Sequence, residues 1–157
     1  MAGTGWVLLA YRMPREPSGP RVTVWRKLRR LGAVQVVDGL VALPESVETA
    51  EAFGWLAEEV LEAGGEAWTW VAKGSKEQDR VLREQLRAVV TEEYAAVTAE
   101  ATDSLGRAPQ RRTVDRLRRA LHDIERRDHV APKERDEARR AVRQLIASLE
   151  ASEEPAR

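Results

Sequence analysis

The chain has 157 residues, 43% of them apolar and 33% charged, which suits one domain with or without a helical extension. Its 26 basic and 26 acidic residues cancel, so the net charge points to no class of partner. There is no cysteine, which excludes disulfides, thiol nucleophiles and cysteine-based metal sites.

No apolar run of the sequence approaches the ~20 residues that a membrane helix needs. The N-terminal residues Met-Ala-Gly-Thr-Gly lack the charged start and the long apolar stretch of a signal peptide. We therefore expect a cytoplasmic protein with no membrane partner.

The first half of the chain alternates between strand and helix patterns. Trp6–Tyr11 is a short apolar run bounded by Gly5 and Pro14, which favours a strand buried on both faces. Asp38-Gly39 lies between two apolar runs and predicts a hairpin with a type I′ turn, in which both central residues have positive φ. The pattern predicts strands at 6–11, 33–37, 40–43 and 66–72, and helices at 20–31 and 45–63.

The two predicted helices have recognisable ends and faces. Ser18 is a candidate cap and Gly32 a stop signal for the first helix, and Ser46 with Thr49 or Glu48 begins the second. One stripe of the first helix holds Val22, Trp25, Leu28 or Arg29, and Gly32. The second helix is expected to bury Val47, Ala50, Phe53 or Gly54, Ala57, Val60 and Leu61.

Trp68 and Trp70 share one face of the last predicted strand. No basic residues interleave with them, so we expect packing in the core or against a helix rather than stacking on nucleic-acid bases. The order β-α-β-β-α-β is that of a split βαβ, or ferredoxin-like, domain, which we predict for residues 5–74.

Residues 75–151 predict a helical extension that begins with a Ser75 and Gln78 capping box. The last two helices carry apolar residues at three- and four-residue spacing and are joined by a short turn, which favours an antiparallel helical hairpin. The predicted segments are a helix to about 101, a linker at 102–109, helices at 113–127 and 132–151, and a frayed tail at 152–157. The fold class is therefore α+β, a ferredoxin-like sheet followed by three helices.

The sequence carries no catalytic motif. It has no glycine-rich phosphate loop after a strand and no Gly-x-Ser-x-Gly elbow. His122 and His129 lie seven residues apart across a predicted helix end, whereas a metal site on one helix face needs closer spacing. We therefore expect no catalytic residue, no metal site and no cofactor.

Two basic segments are the positive functional signal. Seven Arg or Lys lie between Arg12 and Arg30, and six Arg between Arg107 and Arg119, against one acid in each segment. Arginine forks suit phosphate or another tetrahedral oxyanion, but cations near a helix end also complement its dipole. They could equally pair with the glutamate-rich second helix of the same or another subunit. The candidate DNA or oxyanion contacts are Arg21, Arg26, Lys27, Arg29, Arg30, Arg111 and Arg112.

Several stretches resemble a known family. Segment 11–14 reads YRMP, 21–33 reads RVTVWRKLRRLGA and 38–44 reads DGLVALP, and together they closely resemble the N-terminal domain of the chromate-resistance regulator ChrB. Segments 63–68, AGGEAW, and 117–128, LRRALHDIERRD, are similar to the same family. A weaker likeness of the strand-turn-helix unit extends to the ferredoxin-like domain of PaaX-type repressors and to the small CRISPR adaptation protein of similar fold.

The resemblance implies a transcriptional regulator of a chromate-resistance operon, with DNA and chromate as its partners. Full-length family members carry a second, C-terminal domain that this sequence lacks, so we expect a stand-alone protein or one half of a split pair. The family often has aromatics after the aspartate that corresponds to Asp128, where this sequence reads His129-Val130. The nuclease-like relative has a metal-binding aspartate where this chain reads Tyr11-Arg12, so nuclease activity is not expected.

Three hypotheses follow for the function. The first is a chromate-responsive regulator whose basic helix contacts DNA phosphate or an oxyanion. The second is a non-catalytic module that docks to a separate sensor protein. The third, an enzyme that handles oxyanions, has no residues to support it. The sheet edge, the tryptophans and the amphipathic helices offer self-complementary surface, so we also expect a homodimer.

Overall fold

The computed structural model describes residues 5–154. Outside this range lie residues 1–4, part of the N-terminus that was considered as a signal peptide. Residues 155–157 of the predicted frayed tail also lie outside it. The described part contains β1 (Trp6–Arg12), α1 (Ser18–Leu31), β2 (Val34–Val37), β3 (Leu40–Pro44), α2 (Val47–Glu62), β4 (Glu66–Ala72), α3 (Lys76–Gly106), α4 (Arg111–Arg127) and α5 (Lys133–Glu153). This order confirms the predicted fold class, a ferredoxin-like βαββαβ domain followed by three helices.

The chain separates into two compact units that divide within α3, between Leu86 and Arg87. We call residues 5–86 the sheet unit and residues 87–154 the helical unit. In the described part of the chain, every helix is either too short or too polar to cross a lipid bilayer.

The sheet is antiparallel throughout, with strand order β2-β3-β1-β4. One face is covered by α1 and α2, because alternate residues of the strands point toward the helices. Val7 and Leu9 of β1 pack there with Leu43 of β3 and with Phe53 and Val60 of α2. On the opposite face Trp6 is buried but Leu8 and Ala10 are only half-buried, so the expectation that β1 is buried on both faces was too strong.

The buried face of α1 differs from the predicted stripe. Val24 and Leu28 are buried, whereas Val22 and Trp25 are exposed. Val24 and Leu28 lie four residues apart on the side that faces the sheet, and the shorter apolar stripe that includes Trp25 faces outward. Ser18 is not the cap, because the helix begins after Pro17 without a side-chain cap. Gly32 ends the helix as predicted, in the left-handed region with φ 71°.

The β2–β3 hairpin forms where Asp38-Gly39 predicted it, but its turn is not of type I′. Among the described residues other than glycine, positive φ occurs at Ala108 and Ala131, so Asp38 does not have it. Gly39 alone takes the positive φ, 75°. The register of β2 against β3 also shifts between Gln35 and Val37, as it does at a β-bulge.

The start of α2 is confirmed, and its predicted buried face is wrong at both ends. Ser46 and Thr49 satisfy each other's backbone N–H groups in a capping box. Val47 and Leu61, predicted to be buried, are exposed. The buried positions are Phe53, Leu56 and Val60, because these face the sheet at three- and four-residue spacing.

The bounds of β4 are as predicted, but Trp68 and Trp70 are not in the core. Their exposed fractions are 66% and 51%, and the rings stack on each other with centroids 6.4 Å apart. The reason is topological: β4 is the edge strand, and its tryptophans point to the face that lacks α1 and α2.

The first turns of α3 cover part of that open face. Ser75 and Gln78 form the predicted capping box. The indole N–H of Trp6 donates to Asp79 Oδ1 at 3.0 Å, and the Arg83 guanidinium lies 5.3 Å from the centre of the Trp6 ring. The hydrogen bond from Arg83 lowers the pKa of Asp79, which keeps this carboxylate charged as the acceptor for Trp6.

In the helical unit the predicted linker is partly wrong, and the predicted helical hairpin is confirmed. The predicted linker at 102–109 is helical as far as Gly106, because Ala101 still packs into the core of this unit and the first helix breaker comes at Gly106. The antiparallel hairpin is confirmed: Arg111 at the start of α4 pairs with Glu153 at the end of α5. Its core is built mainly from Tyr94, Val97, Val114, Leu117, Ile124, Ala138, Val142 and Leu145.

Candidate nucleic-acid interface

Three of the predicted contact residues meet on the outer face of α1. Arg26, Arg29 and Arg30 are all exposed, and Arg26 lies one turn before the other two on the same helix surface. The rise from Arg26 to Arg30 is about 6 Å along the axis. No ion pair joins any of the three to another residue in the part of the chain that the structure describes. The face therefore presents three guanidinium groups that have no acidic partner in the described chain.

A tryptophan organises one edge of this surface. The Arg29 guanidinium lies 4.9 Å from the centre of the Trp25 ring, a cation–π contact one helical turn apart. Trp25 is about half exposed, so the ring holds Arg29 from the side without burying its charge. Sequence reasoning placed Trp25 on an apolar stripe and missed this role, although the four-residue spacing of Trp25 and Arg29 was visible.

Lys27 has a different environment from its neighbours. Its ammonium group pairs with the carboxylate of Glu59 on α2, and both side chains are partly buried. The sequence left open that these cations pair with the glutamate-rich second helix of the same subunit. Lys27 does so. Lys27 is thus part of the α1–α2 contact.

Arg21 lies near the start of α1, on another flank of the helix. It lines an open pocket of about 540 Å³ together with Tyr11, Met13, Val22 and Trp25. Burial raises the pKa of Tyr11, so its hydroxyl keeps its proton at neutral pH. The pocket therefore brings together one permanent cation and one neutral hydroxyl donor.

Three of the six arginines in the second basic segment pair with acids of their own unit. Arg111 pairs with Glu153 at 2.6 Å, Arg116 pairs with Glu100, and the pKa of Glu100 is lowered by that contact. Arg112 is exposed at the first turn of α4, where a cation opposes the helix dipole. Arg111 and Arg112 lie in the helical unit, and the α1 residues lie in the sheet unit.

The two histidines occupy different surroundings. His122 is exposed on α4, and His129 is partly buried in the turn that follows it. Asp128 of this turn accepts hydrogen bonds from the Tyr94 hydroxyl and from the backbone N–H groups of Val130 and Ala131. Within residues 5–154, no group of three or more His, Asp or Glu side chains is placed to hold a metal ion.

Comparison with known families gives a match to most of the sheet unit and to part of the helical unit. Residues 21–106 match the family model described as "Protein ChrB, N-terminal". The match begins at Arg21 in α1 and ends at Gly106, the last residue of α3, so it includes the whole basic face of α1. Comparison with the curated proteins and with the solved structures gives no match.

Proposed function

Because the chain belongs to the family described as "Protein ChrB, N-terminal" and is a chromate-resistance protein of the ChrB type, we propose that it regulates transcription by binding DNA. In this proposal Arg26, Arg29 and Arg30 of α1 contact DNA phosphates. The protein acts in the cytoplasm as a homodimer, and chromate is its effector. It performs no catalysis.

One observation carries the DNA contact: three exposed arginines share a helix face, and none has an acidic partner in the described chain. Like charges three and four residues apart destabilise a helix by about 0.2–0.5 kcal/mol per pair. The C-terminal dipole offsets part of this cost for Arg29 and Arg30, which lie in the last turn, but Arg26 lies before that turn. Contact with phosphate would offset the repulsion among all three arginines.

A salt titration of DNA binding tests the proposal. Each phosphate contact contributes about −0.9 to the slope of log K against log salt concentration, so Arg26→Ala with Arg29→Ala and Arg30→Ala should make the slope less negative by about 2 to 3. The probe is duplex DNA from the promoter region upstream of the protein's own gene. The charge-matched control replaces three exposed arginines of α3 and α5, namely Arg87, Arg140 and Arg143, with alanine.

The outcomes separate the two leading hypotheses. Loss of slope in the α1 variant with retention in the control supports DNA contact through α1. Equal slopes in all three proteins, or no affinity of the wild type at low salt, would refute it. In the second case the alternative, a non-catalytic module that docks to a separate sensor protein, becomes the better account.

A second candidate function concerns direct contact with the effector. Arg21 and the protonated Tyr11 hydroxyl line one pocket, and both donate hydrogen bonds that a tetrahedral oxyanion accepts. Calorimetric titration with chromate and with sulfate tests this, using Arg21→Gln and Tyr11→Phe as variants. Heat from chromate alone that both variants abolish supports direct sensing. No heat, or equal heat from sulfate, would exclude it.

We propose that the protein is not an enzyme, because the side chains whose pKa values are shifted have structural roles. The pKa of Tyr94 is raised first by burial and then by its hydrogen bond to Asp128, both within a packed core. The pKa of Glu77 is lowered by the exposed neighbour Arg80 on the same helix. Both pKa shifts therefore arise from contacts within the fold rather than from a catalytic pair.

A further inference from the structure

The two edges of the sheet are protected to very different degrees. β2, at one edge, has four residues and an irregular register with β3 between Gln35 and Val37. β4, at the other edge, has seven residues that pair regularly with β1 from Glu66 to Ala72. It has no proline, no bulge and no lysine within it, and these are the features that normally prevent an edge strand from pairing. β4 is thus an open pairing edge.

We propose that β4 pairs with β4 of a second copy of this chain, antiparallel and centred on Thr69. The two sheets then form one sheet of eight strands about a two-fold axis. This inference specifies the interface of the homodimer proposed above and does not depend on the DNA contact.

The sequence of β4 selects the register. Facing residues must lie on the same side of a continuous sheet, so Thr69 opposes Thr69 or the register shifts by two residues. With Thr69 at the axis, all seven residues of β4 are paired, and Trp68 faces Trp70 of the second copy on the open face. Either shifted register leaves residues unpaired and replaces the two Trp68–Trp70 pairs by a single pair, Trp68 with Trp68 or Trp70 with Trp70. The Trp-Thr-Trp alternation is therefore self-complementary.

The apolar area exposed on β4 is large enough to contribute to an interface. With exposed fractions of 66% and 51%, the two rings leave roughly 200 Å² of apolar surface per copy, taking about 200 Å² for a whole tryptophan side chain. Val71 lies on the other face of the same strand and is also exposed. It would face Ala67 of the second copy. Together with the backbone pairing, these contacts supply a substantial part of the about 1,600 Å² that a specific interface buries.

Helix α2 supplies a second, independent observation. α2 packs over β1 and β4, and Glu59 on one flank faces α1 through Lys27. The opposite flank therefore faces the β4 edge, since residues nine apart on a helix lie on opposite sides. That flank carries no charge. It consists of Ala50, Gly54, Ala57 and Leu61.

Gly54 on this flank has no role within its own chain. A Cβ atom added there would meet nothing within 4 Å, so no close intrachain packing requires glycine. A glycine in the middle of a helix destabilises it relative to alanine, so its presence needs a reason. Pairing of β4 places α2 and its copy about 10 Å apart, two strand spacings, which is the distance of direct helix packing. Gly54 then admits the second helix, and Leu61, 55% exposed in one chain, becomes covered.

Because the chain has no cysteine, a single introduced cysteine tests the register directly. Thr69→Cys places two thiols opposite each other at the two-fold axis, within the reach of a disulfide. We expect mild oxidation to convert this variant to a covalent dimer that a reductant reverses. The matched control is Val37→Cys on the β2 edge, which is 59% exposed and should remain monomeric on a denaturing gel.

Gly54→Leu tests the helix contact, because a Cβ atom at this position meets no atom of the single chain within 4 Å. We expect its thermal unfolding to occur at or above the wild-type temperature, while sedimentation equilibrium shows a dimer dissociation constant raised roughly tenfold or more. Glu58→Leu, at the exposed centre of α2, is the control and should leave the dissociation constant unchanged.

The results distinguish this interface from other arrangements. A dimer that forms normally with Gly54→Leu, and that Thr69→Cys does not cross-link, would show that a different surface joins the copies. A wild-type chain that stays monomeric would overturn the interface. Because DNA affinity is measured separately by its salt slope, failure here leaves the proposed contact through α1 to stand or fall on its own titration.

Discussion

Replacing Tyr94 by phenylalanine removes one hydroxyl from the centre of the helical unit. Tyr94 is fully buried, and its hydroxyl donates to Asp128 Oδ2 at 2.8 Å. The other oxygen of Asp128 accepts the backbone N–H groups of Val130 and Ala131, both at 2.9 Å. One carboxylate therefore ties α3 to the turn between α4 and α5, and Tyr94 is its buried side-chain donor.

The expected loss follows from the kind of hydrogen bond. A hydrogen bond to a charged group contributes about 1.5–3 kcal/mol, so Tyr94→Phe should lower the free energy of unfolding by about 2 kcal/mol near neutral pH. The ring itself stays, so no cavity adds to this value. Asp128→Ala should cost more, because it also frees the two N–H groups of the turn.

The same side chain predicts how stability changes at high pH. Burial, followed by the hydrogen bond to Asp128, raises the pKa of Tyr94 in the folded chain above its ordinary value of about 10. The folded state therefore holds this proton more tightly than the unfolded state. The contribution of Tyr94 is fully present below about pH 10 and is lost as pH rises toward the folded pKa, by about 1.4 kcal/mol per pH unit. Tyr94→Phe should lack this decline.

Two optical signals can follow the two units separately. All five tryptophans lie in the sheet unit, so tryptophan fluorescence follows that unit, whereas circular dichroism at 222 nm also follows the helical unit. Urea unfolding should show the Tyr94→Phe loss in the dichroism. Tyr11→Phe is the control, because burial also raises the pKa of Tyr11 in the sheet unit. An unchanged dichroism transition near neutral pH, or the same alkaline decline in Tyr94→Phe, would refute the reasoning.

Three further substitutions test other contacts. Asp79→Ala should lower the stability of the sheet unit by about 1–3 kcal/mol, because the indole N–H of buried Trp6 loses its acceptor, and Asp79→Asn should cost less; urea unfolding followed by fluorescence measures both. Gly39→Ala should cost about 1–3 kcal/mol in the same assay, because φ is 75° there and the new Cβ would lie 2.8 Å from the Tyr11 carbonyl oxygen. Lys27→Ala should lower stability by under about 1 kcal/mol and leave the salt slope of DNA binding unaltered, because its partly exposed ammonium already pairs with Glu59; a reduced slope would return Lys27 to the DNA contacts.

Local signals in the sequence predicted the elements of the fold well. The capping boxes at Ser46 and Ser75, the stop at Gly32 and the alternation of β4 all depend on residues close together in the chain. The continuation of α3 to Gly106 was missed because it depends on Ala101 packing against the hairpin, a contact that no local window contains.

The basic composition of the sequence predicted the candidate site. Which of its basic residues have an acidic partner depends on residues that are distant in sequence. The basic segment of α1 is evident in the sequence, but nothing local separates Lys27 from Arg26. The difference arises because Glu59, thirty-two residues further along, lies beside Lys27 once α1 and α2 pack together. Arg111 is similar, since its partner Glu153 comes from the far end of the hairpin. Charge patterning identified the helix, and tertiary packing decided which of its cations have an acidic partner.

Most of the incorrect burial predictions lie on two surfaces, the outer face of α1 and the surroundings of the β4 edge. Val22 and Trp25 lie on the first; Leu61 lies on the α2 side of the β4 edge, and Trp68 and Trp70 lie on its other side. Val47, at the start of α2, is also exposed. Each exposed apolar group of this size weakens the case for a monomer that acts alone, because burial would stabilise the chain. The first surface carries the arginines without an acidic partner in the described chain, and the second carries the open strand edge and Gly54. In the proposed dimeric DNA-binding regulator, the first surface would contact phosphate and the second would contact a copy of the chain.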